Sequence, residues 1–460
     1  MKIGLISLGC PKNLVDSEVM LGLAQQAGHE LTHDPADADV LVVNTCAFID
    51  SAKQESIDAI LEMAEHKTRG ACRRLVVTGC MAERYRDELK KEIPEIDAVL
   101  GTGEVPQIVG AINGDAAERP EGRPLHFVRS GQSPIPNPQS LRARPTYLYD
   151  ASTPRVLATP SHYAYVKIAE GCDYKCAFCI IPTLRGAYRS RPAESIVREA
   201  RGLAARGVKE LLLISQDTTF YGVERGERGA LARLLRQLNA VDGLEWIRLL
   251  YLYPTTIDDE TLAAMAECEK VCKYIDLPLQ HASNDVLRRM KRPGTRQTYD
   301  RLLSRIRERV PGVALRTTFI VGFPGERDAD VDELRAFIGD HAFDHVGVFT
   351  YSHEEGTSAY ALADDVPAKT KAARRSRVMT LQKQLVEARL KGRVGTRARV
   401  LVDGPSADHE LVLRARLATQ APDIDASVFL TECDPSAYRA GDFVEVELVG
   451  AAGYDLIARP

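Results

Sequence analysis

The sequence lacks any run of the roughly 18 apolar residues that a membrane helix needs, so no membrane span is expected. No secretory leader is expected at its start. The opening MKIGLISLGC has only a short apolar run, broken by Ser7, with no small-residue cleavage site after it. It lacks an excess of one charge, since 60 Lys and Arg face 64 Asp and Glu for a formal net charge of −4. It lacks the bias of a disordered or collagen-like chain, and no internal repeat is found. GTGEVP, near Gly101, lacks the third glycine of a dinucleotide fingerprint. These absences leave a soluble cytoplasmic protein as the expectation. Its 460 residues, 45% of them hydrophobic, suffice for two to four domains with a sizeable core.

What is present is cysteine, ten in all. In a large cytosolic chain, cysteines serve as metal ligands or catalytic groups more often than as disulfides. The stretch EGCDYKCAFCIIPTLRGAYRSRP, from Glu170 to Pro192, sets Cys172, Cys176 and Cys179 at C-x3-C-x2-C spacing. A structural zinc wants four closed ligands, commonly two pairs, and neither a second pair nor a histidine lies nearby. A thioredoxin-type site uses two cysteines, and three thiols within eight residues rarely arise from packing alone. A metal cluster fits better. An iron–sulfur cube is normally held by four thiolates. Three leave one iron open to a substrate or cofactor, as catalytic zinc sites keep a position open.

Three more cysteines end short β-branched runs: IGLISLGC at Cys10, VLVVNTC at Cys46 and RLVVTGC at Cys80. Such runs alternate with helical stretches, for example 50–65, which predicts a parallel α/β sheet. Ligands of such sheets sit beyond the strands' carboxyl ends, where these cysteines converge. Singly, each reads as a small buried residue. As three equivalent strand ends, they read as a second three-thiolate site. Residues 1–113 are thus one domain and 114–157 a Pro-rich connector. Residues 158–391 follow as a second α/β domain, with strands at 163–170, 210–217, 246–252, 274–280, 315–322 and 345–351. Six βα steps are too few for a closed eight-strand barrel and predict a partial one, with the three-cysteine loop after its first strand. A basic amphipathic helix spans 367–391. Residues 392–460 turn to period two and predict a small antiparallel β-barrel of about five strands.

The C-x3-C-x2-C loop after the first strand of a partial barrel resembles the radical S-adenosylmethionine enzymes. The resemblance implies that the open iron chelates S-adenosylmethionine and that an electron from the cluster cleaves it to a 5′-deoxyadenosyl radical. Phe178 sits where that superfamily keeps an aromatic residue near the adenine, with ordinary packing as its other reading. FIVGFPGE resembles a later cofactor-contacting turn, which assigns Gly322, Pro324, Gly325 and Glu326 to cofactor binding; alone it is a common Pro-Gly turn. LGCPKNLVDSE, NTCAFIDSAKQESI and TGC, with CAFCIIPTLRGAYRSRP, are similar to the methylthiotransferases, and the C-terminal strands resemble a TRAM domain, a substrate-binding unit. The likeness covers nearly the whole chain. One branch of the family modifies an adenosine of transfer RNA, the other an aspartate of ribosomal protein twelve of the small subunit. CPKNLVDSE in place of a C-Q-M-N type sequence, YSHEEGTSA in place of R-P-G-T, and RLATQAPDID resemble the ribosomal-protein branch. From Arg393 onward, seven Arg and Lys face eleven Asp and Glu. An acidic domain suits a basic protein better than RNA phosphates, so no specific transfer-RNA binding is expected.

The resemblance implies two 4Fe-4S clusters, on Cys172, Cys176 and Cys179 and on Cys10, Cys46 and Cys80. It implies S-adenosylmethionine as radical source and methyl donor, and an electron donor as partner. The first cluster would generate the radical and the second would present sulfur to the substrate's β-carbon. Arg185, Arg189 and Arg191 are candidates for pairing with a carboxylate of substrate or cofactor, or for salt-bridging a surface segment. Gln280, His281 and Ser283 follow the fourth barrel strand and are expected to face the site, with His281 also readable as a structural hydrogen-bonder. Cys268 and Cys272 read as structural; Cys72 and Cys433 carry no assignment. Two other readings stay open: the same chemistry on transfer-RNA adenosine, and a non-catalytic scaffold held by zinc.

Overall fold

The computed structural model describes residues 1–115, 144–407, 409 and 411–460. The proline cluster SPIPNPQS of the connector lies outside the described residues. The N-terminal unit is a five-stranded parallel sheet in the order β2-β1-β3-β4-β5. Its strands are β1 (Lys2–Ser7), β2 (Glu30–Thr32), β3 (Val40–Thr45), β4 (Arg74–Gly79) and β5 (Ile96–Leu100). The three runs that end in cysteine are β1, β3 and β4, which are neighbours. β3 is buried at all six positions, which is why it reads as an unbroken apolar run. β2 and β5 were not foreseen: the first has three residues and none fully buried, and the second carries an exposed Asp97. Helix α1 (Pro11–Gln26) follows β1, and α2 (Asp50–Arg69) covers and extends the helix expected at 50–65.

Six parallel strands form the central unit: β6 (Tyr163–Lys167), β9 (Glu210–Ile214), β10 (Trp246–Leu249), β11 (Tyr274–Asp276), β12 (Ala314–Val321) and β13 (His345–Thr350). They lie side by side in chain order, the halves joined by a bridge between Ile247 and Val271. All six fall within the predicted strands to within a residue. β6 and β13 are the edges of an open barrel. Val15, Val19 and Met20 of α1 share one core with Tyr163, Tyr165, Leu212 and Ile214, so the N-terminal unit packs on the β6 side. The described part of the connector is a packed strap here. Arg155 pairs with Glu18 of α1 at 2.5 Å and with Glu199 at 2.7 Å. Two short strands, β7 (Ala169–Glu170) and β8 (Arg189–Ser190), pair antiparallel and close the base of the cysteine loop.

Helix Ala368–Lys391 runs from the barrel to the C-terminal unit, with Val378 in the main core and Val386 and Leu390 in the small one. That unit is a closed barrel ordered β14-β15-β16-β18-β17. Its strands are β14 (Arg397–Pro405), β15 (Leu413–Leu417), β16 (Val428–Leu430), β17 (Phe443–Ala452) and β18 (Asp455–Arg459). It docks on the amino-terminal side of the central barrel through buried charges. Arg416 holds Glu210 at 2.8 Å and Asp403 at 2.9 Å, while His162 reaches Asp403 at 2.9 Å. Asp425 pairs with Arg316 at 3.3 Å and accepts from the Tyr274 hydroxyl at 2.6 Å. Asp403 and Asp425 belong to the acidic excess yet are 3% and 1% exposed, spent inside the dock with Arg416, so the remaining excess is smaller but of the same sign. Among the described residues no helix is long and apolar enough to cross a membrane.

Candidate active site

Cys10, Cys46 and Cys80 stand just past the ends of β1, β3 and β4. Gly9 precedes Cys10 with φ +88°, and a Cβ there would stand 2.8 Å from the Cys46 Cβ and 3.1 Å from its Sγ. Glycine, with no side chain and at ease at this φ, is what lets the chain pass this close to Cys46. The Cys46 backbone is clamped by Ser56, whose hydroxyl accepts from its N–H at 3.0 Å and donates to its carbonyl at 2.9 Å. Asn13 ties the ends of two strands together, its amide donating to the carbonyls of Leu8 at 3.0 Å and Thr45 at 2.8 Å. Its Oδ1 is 3.8 Å from the Cys80 thiol. Asn13 escaped the sequence reading, although it sits inside CPKN.

Cys172, Cys176 and Cys179 occupy the loop after β7. Its turns are fixed by Cys172 N–H donating to the Gly186 carbonyl at 3.1 Å and Cys179 N–H to the Cys176 carbonyl at 3.1 Å. Arg292 donates to the Cys176 Sγ at 3.6 Å, and the Tyr253 hydroxyl lies 3.9 Å from the same sulfur. Tyr253 is sandwiched, with the Arg292 guanidinium 4.0 Å from its ring centroid and Tyr174 stacked at 3.8 Å. Phe178 packs on a small core with Val286, Met290 and Phe323, the last from the FIVGFPGE turn. In that turn, Gly322 and Gly325 have φ of +78° and +74°. The Gly322 N–H donates to Glu326 Oε1 at 2.9 Å, and Glu326 pairs with Arg374 at 3.0 Å. Glu326 therefore braces the turn from within.

Two chains of contact tie the trios together across the domain interface. Arg185 donates to Cys80 Sγ at 3.6 Å and to Asn13 at 2.5 Å, and pairs with Asp16 at 2.7 Å and Glu170 at 3.3 Å. Glu170 lies two residues before Cys172. Lys167 pairs with the same two carboxylates, at 2.5 Å with Asp16 and 2.7 Å with Glu170. On the other side, Lys12, two residues after Cys10, lies over the Tyr251 ring, 3.1 Å from its centroid. Tyr251 is two residues before Tyr253, which touches Cys176. Tyr251 itself holds φ +60°, a left-handed conformation costing a non-glycine residue about 1–3 kcal/mol. A third link, away from the cysteines, joins Arg84 to Glu354 at 2.8 Å and Lys53 to Glu354 at 2.9 Å.

The three arginines predicted together thus separate. Arg185 stands between the trios. Arg189 donates to the Thr146, Tyr147, Arg185 and Ala187 carbonyls, holding the connector. Arg191 is fully buried, paired with Glu199 at 2.7 Å and stacked 4.1 Å from the Tyr149 ring centroid. Neither reaches the cysteines, because β8 turns them toward the strap. Gln280 holds φ +75° after β11, with its buried Oε1 unpartnered. His281 is fully buried, accepts from the Ser283 N–H at 3.0 Å and approaches Glu326 at 3.4 Å, a bracing position. Cys268 and Cys272 are buried, as expected of structural residues.

Both trios fit a polynuclear iron site. Burial pushes the Cys80 and Cys172 thiols up to about 12 and raises Cys46 and Cys179, neighbouring cysteines adding to the effect. Thiolates so disfavoured are stabilised when a metal takes the proton's place, and one arginine donates to each trio. Among the described residues, no group of three or more His, Cys, Asp or Glu side chains, either trio included, is arranged to hold a single metal ion.

Comparison with known proteins agrees with this architecture. Residues 2–101 match the model described as Uncharacterized protein family UPF0004, residues 166–338 the Radical SAM superfamily, and residues 394–460 the TRAM domain. A radical S-adenosylmethionine methyltransferase, TsrM from Kitasatospora setae, solved with cobalamin and a 4Fe-4S cluster bound, shares the fold at TM-score 0.54 and 17% identity. That match covers 76% of this chain and 72% of TsrM. The ribosomal protein uS12 methylthiotransferase RimO of Solibacter usitatus is 49% identical over 99% of this chain and 94% of its own. RimO of Desulforamulus reducens is 47% identical over 99% and 98%. The chain belongs to the ribosomal protein uS12 methylthiotransferase (RimO) family of radical S-adenosylmethionine enzymes.

Proposed function

We propose that this enzyme methylthiolates the β-carbon of an aspartate side chain in ribosomal protein uS12, using two three-cysteine iron–sulfur sites that open on one shared mouth. As a radical S-adenosylmethionine methylthiotransferase, it is an iron–sulfur enzyme that works with S-adenosylmethionine. The observation that carries the two-site reading is the pair of contact chains, Cys80–Arg185–Glu170 and Lys12–Tyr251–Tyr253–Cys176, which ties one trio to the other.

The chemistry explains why two sites are needed. A β C–H is poorly acidic, so a general base such as His281 is of little use on it. When bound, the cofactors supply one-electron cleavage of S-adenosylmethionine for hydrogen abstraction, sulfur for insertion and a methyl group from a second S-adenosylmethionine. The protein's part is to hold them. Cys172, Cys176 and Cys179 hold the cluster that takes S-adenosylmethionine, with Phe178 and the Gly322–Glu326 turn shaping the adjoining wall. Cys10, Cys46 and Cys80 hold the auxiliary cluster. Arg185 is buried beside Cys80, and Tyr253, stacked on Tyr174, stands beside Cys176. An electron donor completes the system.

The test is mass spectrometry of uS12 from cells with and without the gene. One added SCH3 group on an aspartate, lost on deletion, is expected. Unchanged uS12, together with tight and steeply salt-dependent transfer-RNA binding by the purified enzyme, would move the substrate to transfer RNA.

A further inference from the structure

We propose that Lys12 is a substrate-positioning residue that receives the target aspartate's carboxylate at the mouth between the two cysteine trios. The inference rests on the protein substrate proposed above and adds the residue that recognises it. Lysine is rarely buried without a partner, because an unpaired ammonium loses its hydration with nothing in return. The other buried cations here follow that rule. Lys167 has Asp16 and Glu170, Arg155 has Glu18 and Glu199, and Arg248 has Glu210. Lys12 is the exception: it is 8% exposed, and among the described residues its ammonium has no carboxylate and no hydrogen-bond acceptor. What it has is the Tyr251 ring, a cation–π contact that engages one face of the ammonium, which has three N–H donors in all.

The anionic groups nearest in influence are already committed. Burial works against the charge on Lys12, as does nearby Arg185, while Cys10, Glu170 and Asp276 favour it from a distance. Glu170 is held by Lys167, Arg185 and Gln216. Asp276 is held by Arg316 and the Tyr251 N–H. Cys10 is an expected cluster ligand. The ammonium is therefore left without a committed anionic partner among the described residues. An aspartate fits, because its carboxylate is one bond from the β-carbon, so anchoring the carboxylate on Lys12 sets that carbon between the two sulfur sites. A site built around a charged donor also rejects the amide isostere, which brings no charge to offset the buried ammonium.

The experiment uses the full-length holoenzyme, reconstituted without oxygen, and purified uS12 carrying either the target aspartate or asparagine in its place. Affinity is read by fluorescence anisotropy for wild type, Lys12→Met and Lys12→Arg, and the Michaelis constant for S-adenosylmethionine is measured alongside. Wild type should bind the aspartate form at least tenfold tighter than the asparagine form. In Lys12→Met that ratio should fall to near one, and Lys12→Arg should keep a preference. A Lys12→Met enzyme that discriminates as well as wild type overturns the inference while leaving the function intact. So does one whose Michaelis constant for S-adenosylmethionine rises while its aspartate preference survives, since Lys12 would then serve the cofactor's carboxylate. A wild-type enzyme indifferent to aspartate and asparagine overturns the substrate assignment itself, and the inference with it.

Discussion

Replacing Arg185 with methionine tests the idea that one buried guanidinium joins the two sulfur sites. Its side chain is 3% exposed and faces two buried carboxylates, Asp16 and Glu170, with Lys167 as the other cation. The native balance is two negative charges against two positive; Arg185→Met leaves two against one. Removing one partner of a buried ion pair costs about 3–5 kcal/mol. Lys167 stays in contact with both carboxylates, so the lower end applies, about 3 kcal/mol. For a unit of this size that is a fall in melting temperature of ~6–12 °C. Calorimetry on the oxygen-free holoprotein measures it, and iron per chain reports whether the Cys80 side still loads. Adding Glu170→Gln removes the uncompensated charge, so the double variant should recover part of the loss, a favourable coupling in a double-mutant cycle. An Arg185→Met protein melting within a degree or two of wild type, or a double variant whose losses simply add, would refute the charge argument.

Other outcomes follow from the same geometry. Cys176→Ala should abolish cleavage of S-adenosylmethionine, and Cys46→Ala should spare cleavage but stop sulfur insertion, read as 5′-deoxyadenosine against SCH3 on uS12; equal loss of cleavage in both folded variants refutes the division of labour. Gly9→Ala sets a Cβ 2.8 Å from that of Cys46, so about half the iron should be lost per chain while the Cys172 site keeps its share. The dock of the small barrel should weaken in acid. Burial alone would raise the Glu210 carboxyl, but Arg416 and Arg248 hold it below its ordinary 4.5, and His162 and Arg416 hold Asp403 below 3.8. Depressed values mean stability fully present above the ordinary value and lost as pH falls through the lowered one. Limited proteolysis near Gly395 should therefore speed up below that range and hardly change from pH 5 to 8. In Glu210→Gln the acid step should shrink.

The parts of this molecule legible in the sequence are those carried by local periodicity. The six central strands and the five of the small barrel announce themselves through apolar runs and period-two alternation, and β1, β3 and β4 do so through runs that each stop at cysteine. The site was half legible, because strand ends in a parallel sheet have only one place to put their side chains. What local pattern does not carry is which distant charge a buried charge will meet. Arg185, Arg189 and Arg191 look alike within seven residues of sequence. They part because the last two flank the β8 pairing, which directs them to the strap, while Arg185 ends the short helix Ile181–Arg185 facing Cys80. Net charge likewise says nothing of where the charges lie: Asp403 and Asp425 count toward the acidic excess of the small barrel but are neutralised inside an interface.

Several positions that hold the two trios together, Asn13, Lys167 and Tyr251 among them, escaped the sequence reading. Much of the backbone around each cysteine trio is set within its own domain, by Gly9, Asn13 and Ser56 at one and by the Cys172–Gly186 and Cys179–Cys176 hydrogen bonds at the other. A reaction that moves a hydrogen at one site and sulfur at the other needs their separation held, because misplacing reacting atoms by an ångström costs orders of magnitude in rate. The cysteines alone do not supply that. It comes from Asn13, Asp16 and Lys12 on α1 or its first turn, set against Lys167, Glu170, Arg185 and Tyr251 of the barrel. The apolar face of α1 packs on β6, while its first turn carries the charges that fix the depth and angle of the fit. Hydrophobic burial is non-directional and tolerates sliding; a buried, crossed set of ion pairs and hydrogen bonds does not, since a shift leaves charges unpaired. The polar half of this interface is thus the part that sets the spacing between the two sulfur sites.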